Sequence, residues 1–371
     1  MQNRPFTTPW IFAFAVACAM LVFVATRTAD WLAAALAAPA PARRAPPLRE
    51  GRAEITEFPM SNPGDLLHDV AVDSAGRIVV TGMFSSQMLL LEPASGAITT
   101  LPIPGPNAGA RAVELDSAGN WWVLLGGPRQ VARYNPGSRE WTTFDIGMYP
   151  HSIALTPDGR AWFNGHFTVS PEQIGYVRPD AVSAAHVTTL NVPEHPTLGA
   201  PGGPIPYELR AGPDGRVWMS ELQGNRMIAY DPSNGRFQTW TLPTPWSGPR
   251  RFDLDRQGIV WIPGYGANLL VRLDPATGRF TEYPIPEPDA VPYVTRVDRG
   301  TGLVWIGTAA ADAAFSFDPG SGQFTRYALP SRGAMVRHIA IDPRTHDVWL
   351  AYGASPGRIS ARIARLRVRD P

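Results

Sequence analysis

The 371-residue chain contains no lysine; all 33 of its basic residues are arginine, which excludes Schiff-base chemistry and any lysine acid or base. Its single cysteine, Cys18, lies in an N-terminal apolar stretch. The remainder therefore has neither a disulfide framework nor a thiol nucleophile or ligand. Charge of one sign is also lacking: 33 basic against 32 acidic residues leave a formal +1, far from the footprint of a nucleic-acid binder, and no DNA or RNA partner is expected. There is no His-Glu-x-x-His, no glycine-rich phosphate loop and no Gly-x-Ser-x-Gly elbow, so zincin, NTPase and α/β-hydrolase readings have no support.

What is present in abundance is turn chemistry. With 39 prolines and 35 glycines beside a hydrophobic content of 44%, the chain reads as many short strands rather than long helices. The one long apolar run, WIFAFAVACAMLVFVA from Trp10 to Ala25, is flanked by Arg4 and Arg27 and is followed by WLAAALAAPAPA from Trp31. Its length falls between a signal-peptide core and a full membrane span, so residues 1–38 are expected to be a signal peptide or a membrane anchor. Either implies export to the periplasm or another extracytoplasmic space, with membrane contact only through this segment. Residues 39–52 (PAPARRAPPLREGR) have little to bury and read as an extended linker.

From residue 53 to 371 one pattern recurs: an alternating apolar strand, an Asp/Pro-Gly turn, a strand bearing Trp, a strand ending near Asp-Pro, and a Thr-aromatic strand ending in Pro. The second-strand position is held by Val79, Trp122, Trp162, Trp218, Trp261, Trp305 and Trp349. Seven four-stranded units follow. Such a unit cannot bury both faces alone, and radial stacking gives each a neighbour on either side. The predicted fold is all-β, a seven-bladed β-propeller. The outermost strand is displaced by one unit: its first copy, Ile55-Thr56-Glu57-Phe58, precedes the first blade, and the last blade lacks one. The N-terminal strand should therefore close the last blade and remove two exposed edges. The interval between Trp162 and Trp218 marks an insertion between His166 and Pro204.

The first strand of each blade lines the central channel. Aligned units place His68, Arg111, His151, Tyr207, Arg250, Tyr293 and Arg337 at one rim. Three Arg, two His and two Tyr would suit a carboxylate, phosphate or carbonyl ligand. Alternatively they pair with neighbouring carboxylates, for instance Asp69, Glu114, Glu208 or Asp253. Among the equivalent second-strand ends only Glu221 is ionisable. Strand alternation directs Glu208 and His338 away from the channel.

PHSIALTPDGRAWFNG from Pro150, PYELRAGPDGRVWMSELQGNRMIAYDPSNG from Pro206 and FTEYPIP from Phe280 resemble blades of the streptogramin B lyase (virginiamycin B lyase) family. The resemblance implies a propeller scaffold and, in a true lyase, a Mg²⁺-dependent carbon–oxygen elimination that opens a cyclic depsipeptide. It further implies a Pro-His pair, a Glu-Pro-His in the following blade, and a Glu after that blade's Trp strand. Pro150-His151 and Glu221 match, whereas Ile205-Pro206-Tyr207 stands where Glu-Pro-His is expected. His151 and Glu221 are thus the candidate catalytic residues, with Glu221 also the candidate Mg²⁺ ligand. His68, Arg111, Tyr207, Arg250, Tyr293 and Arg337 are the candidate ligand-binding residues. Three readings stand: a lyase-like enzyme, a non-catalytic monomer that binds a small molecule, peptide or protein, and a sugar lactonase-like hydrolase.

Overall fold

In six of the seven blades the hairpin of the first and second strands turns on the same local chemistry. In the turn between first and second strands, Gly76, Gly119, Gly159, Gly215, Gly258 and Gly302 take φ of +78° to +85°, a left-handed conformation that glycine adopts without strain. In blades 2 and 5 the Asp that begins this turn also reaches the following Trp: the indole N–H of Trp122 donates to Asp116 Oδ2 at 2.9 Å and that of Trp261 to Asp255 Oδ2 at 3.1 Å. Blade 4 has Gly212 there, and the Trp218 indole N–H is left without an acceptor among the described residues.

A computed structural model describes residues 46–105, 107–166, 171–198, 203–353 and 359–368. The segment read as signal peptide or anchor, and the first part of the linker, lie outside these residues. No described helix is long and apolar enough to cross a membrane. The described residues form seven sheets, each built on four antiparallel strands, with no α-helix and one 3₁₀ turn at Ala184–His186. Their first strands are Leu67–Val72, Ala110–Leu115, Pro150–Leu155, Pro206–Ala211, Asp253–Leu254, Pro292–Val297 and Val336–Ile341, which define blades 1 to 7.

Closure follows the expected route. Ala53–Pro59 pairs antiparallel with Arg362–Val368 as the outer strand of blade 7, from Ala53 opposite Val368 to Pro59 opposite Arg362. Within the stretch read as linker, Leu48–Glu50 adds a short parallel strand to the outer edge of blade 6, opposite Phe324 to Arg326. Six tryptophans, Trp122, Trp162, Trp218, Trp261, Trp305 and Trp349, are fully buried, as is Val79 in blade 1. They fill the spaces between neighbouring blades, for example where Trp162 meets Tyr230 of blade 4. The core is consequently a ring rather than a centre.

Candidate functional site

The first strands are not regular. In blades 1, 2, 3, 4, 6 and 7 the register with the second strand shifts just after the first residue: Pro150 faces Gly165 but Ile153 faces Phe163, and Pro206 faces Glu221 but Leu209 faces Met219. A bulge of this kind breaks the alternation of side chains, so that two successive residues point toward the channel. The amides it frees from the ladder are taken up by polar residues of the second strand. Asn164 Oδ1 accepts the Ser152 amide at 2.8 Å, Thr81 Oγ1 that of Asp69 at 2.8 Å, and Ser220 Oγ that of Glu208 at 3.2 Å.

The first residue of each bulge forms the upper rim, at the end where the first strands begin. Here the rings of His68, His151, Tyr207 and Tyr293 run in sequence across blades 1, 3, 4 and 6, with centroids 5.1, 4.2 and 6.5 Å apart. His166, at the border of the insertion, stacks on His151 at 4.4 Å. Arg250 lies over the rings of Tyr265, Tyr293 and Tyr207 at 3.8, 4.6 and 5.0 Å and donates from Nη1 to Tyr207 Oη at 2.8 Å. Arg111 lies over Tyr149 and donates to its hydroxyl. All seven rim residues predicted from the repeat are at this end.

Their chemistry is set by burial and by arginine. The imidazole of His68 is held down to about 3 by burial, then by the charge of Arg251, and that of His166 falls to about 3 for the same first reason, with Arg111 and Arg250 adding to it. His151 is lowered well below its ordinary value, again chiefly by burial and then by its histidine and arginine neighbours. These rings are therefore neutral at pH 7. His151 Nδ1 donates to the Tyr207 carbonyl at 2.7 Å. Neither candidate catalytic side chain faces open solvent: His151 is 1% exposed and Glu221 not at all.

A second layer lies below the rim, made by the residue that follows the rim position in blades 1, 4, 5 and 7 together with Arg296 from further along the first strand of blade 6, and here sequence reasoning missed the two arginines, Arg251 and Arg296. Arg251 meets Asp69 of blade 1 at 2.9 Å and Glu208 of blade 4 at 3.5 Å, while Glu208 also accepts from Arg296 of blade 6 at 2.7 Å. Arg296 in turn lies 2.6 Å from His338 Nε2. Blades 5 and 1 are not neighbours, so the Arg251–Asp69 pair spans the channel. Glu208 and His338 do not turn away from this network as alternation suggested, because the bulge intervenes. The usable signal was the polar residue at Thr81, Asn164 and Ser220, without which the freed amides would be unpaired.

Glu221 shares the upper end with His151 but is committed elsewhere. Both its oxygens are held by Arg226, Oε2 by Nε and Oε1 by Nη2 at 2.8 Å, and Arg226 Nη2 also donates to the Pro193 carbonyl at 2.7 Å. Burial raises the carboxyl of Glu221, and burial followed by the charge of Glu221 raises Glu172 to about 7. Among the described residues no group of three His, Cys, Asp or Glu could hold a metal ion. With a guanidinium occupying both oxygens and Ile205 in place of a second carboxylate, the residues present do not fit Mg²⁺.

The lower mouth, where the first strands end, is a cavity of about 230 Å³ lined by Glu114, Arg210, Asp253, Arg296, Arg299 and His338 among aliphatic side chains. Arg210 bonds Glu114 at 2.8 Å and Asp253 at 3.2 Å, and Arg299 lies 3.5 Å from Asp253.

Residues 190–364 match the model of the virginiamycin B lyase family. Among solved structures, a selenomethionine-substituted virginiamycin B lyase from Staphylococcus aureus is 20% identical with a TM-score of 0.74, over 86% of this chain and 100% of that one. A streptogramin B lyase structure is 20% identical with a TM-score of 0.73, over 85% and 98%. A catalytically inactive virginiamycin B lyase from the same organism with quinupristin is 19% identical with a TM-score of 0.74, over 86% and 100%. No curated protein matches by sequence. The family resemblance read from the blades is thereby borne out, together with the propeller scaffold.

Proposed function

We propose that this virginiamycin B lyase-like propeller is exported and binds an anionic small molecule, or the carboxylate of a peptide, at the Arg111, Arg250 and Arg337 mouth of its channel, without catalysing elimination. The observation that carries the reading is an imbalance of charge: none of these three arginines has a carboxylate within ion-pair distance among the described residues, and the Nε of each is buried with no acceptor. A buried polar group left unpaired costs roughly 1–3 kcal/mol, which an incoming carboxylate, phosphate or carbonyl oxygen would recover. Neighbouring carboxylates that could have neutralised the rim are instead taken by the layer below. Export is supported by the apolar stretch from Trp10 to Ala25.

Elimination has weaker support. Tyr207 stands where the family resemblance implies a histidine, and burial followed by the charge of Tyr293 raises its phenol further from neutrality. Glu221 is engaged by Arg226. Calorimetry with inorganic phosphate, di- and tricarboxylates and acidic peptides is the direct test. Micromolar binding of at least one, weakened tenfold or more in Arg250→Ala, is expected. Equal affinity in the variant, or opening of a streptogramin B ring by the purified protein with Mg²⁺, would overturn the reading.

A further inference from the structure

Within the rim, three groups form a directed chain of hydrogen bonds. Arg250 Nη1 donates to Tyr207 Oη at 2.8 Å, so that oxygen already accepts a proton from a cation. Tyr207 and Tyr293 hydroxyls lie 2.6 Å apart. With Tyr207 accepting on one side, its own proton is free to point at Tyr293, whose oxygen becomes the end of the chain. Among the described residues the Tyr293 hydroxyl has no hydrogen-bond partner besides Tyr207. The groups around Tyr293 are cationic or neutral: Arg250 over its ring, Tyr265 edge-on at 6.0 Å, and Arg251 and Arg337 close enough to act on its charge. Of these, Arg251 is neutralised by Asp69 and Glu208, whereas Arg250 and Arg337 are not neutralised by any described carboxylate.

We infer that Tyr293 is the titrating group of the rim, a phenol that gives up its proton ahead of the other tyrosines, and that its negative charge and an anionic ligand compete for Arg250 and Arg337. The second half rests on the anion-binding reading above. Electrostatics agrees with the geometry: burial alone would raise this phenol, but Arg250, Arg251 and Arg337 outweigh it and bring Tyr293 below its ordinary value, while Tyr207 moves the other way. Two coupled phenols separating in this manner define a donor and an acceptor. The consequence is a sign. An anion in the rim favours the protonated phenol, so binding takes up a proton and weakens as pH rises through the titration of Tyr293.

The test is a spectrophotometric titration of the folded protein at the tyrosinate absorption band. Of ten tyrosines, one is expected to ionise ahead of the rest. Tyr293→Phe should abolish that early phase, and Tyr207→Phe, which removes the donated bond, should delay it. Near-ultraviolet circular dichroism shows whether each variant keeps its packing, and both substitutions retain the ring. Sulfate, compared with sodium chloride at equal ionic strength, should move the early phase to higher pH. Absence of an early phase in the wild type, or its survival in Tyr293→Phe, overturns the assignment. An early phase that is lost in Tyr293→Phe but indifferent to sulfate sustains the tyrosine assignment and overturns the competition, which separates this inference from the anion-binding reading.

Discussion

The two mouths of the channel are lined by the same seven strands and each carries three arginines, yet they are electrostatic opposites. Below, Arg210, Arg296 and Arg299 each have a carboxylate, supplied by Glu114, Asp253 or Glu208. Above, Arg111, Arg250 and Arg337 have aromatic rings or no such neighbour. An arginine surrounded by its own counter-charges holds blades together, whereas one whose counter-charge has been withdrawn is ready to hold something else. The withdrawal is physical: Asp69 and Glu208 serve Arg251 and Arg296 one layer down.

That contrast can be broken most forcefully from below. Asp253 is buried, and it accepts from Arg210, from Arg299 and from the Val297 amide at 2.9 Å. Asp253→Ala should lower stability by about 2–3 kcal/mol, because it takes the acceptor from the buried Val297 amide and leaves Arg210 with Glu114 alone, whereas Arg337→Ala at the upper rim should lower it by about 1 kcal/mol or less. Urea denaturation of the two variants checks this, and equal losses would erase the distinction between the mouths.

The pH window separates them next. His68 and His166 titrate near 3 in the folded rim against about 6.5 when unfolded, so their contribution is complete above 6.5 and lost as pH falls toward 3. By linkage each should remove about 2 kcal/mol by pH 5. Asp253 also has a lowered value, since Arg210, Arg299 and Arg296 outweigh the burial that would raise it. Its contribution is present above the ordinary carboxylate range and fades only below it. Denaturation at pH 7 and pH 5 should show a loss that His68→Gln with His166→Gln reduces and Asp253→Asn does not.

The smallest effect sharpens the comparison without disturbing the fold. Arg337→Ala should weaken phosphate or carboxylate binding about tenfold, equivalent to about 1.4 kcal/mol. Arg299→Ala, at a mouth where charges are already paired, should change it less than twofold. Calorimetry on the two variants decides.

How much of this was readable beforehand depended on whether a feature repeats. The seven Trp or Val79 positions, the displaced outer strand and the rim residues His68, Arg111, His151, Tyr207, Arg250, Tyr293 and Arg337 all occur at fixed places in a unit, and the structure puts all of them where the repeat implied. Glu208 and His338 were misdirected, and Arg251 was not singled out, because strand alternation holds only in an unbroken ladder, and a bulge follows the first residue of nearly every inner strand. Glu221 was placed at the correct end, but its engagement by Arg226, its direct partner across the hairpin with the next strand, was not read from the sequence because the pairing register of that strand was not assigned.

The sequence by itself determined the architecture, its closure and the composition of the rim, because a propeller is written as a local pattern whose alternation, turns and bulky positions recur seven times. Only the tertiary structure decided which charges are neutralised. Arg251 finds Asp69 across the channel from a position 182 residues away in the chain, and Arg296 finds Glu208 from 88 away. Such pairings arise from ring closure bringing non-neighbouring blades within ion-pair distance, and no local pattern encodes them.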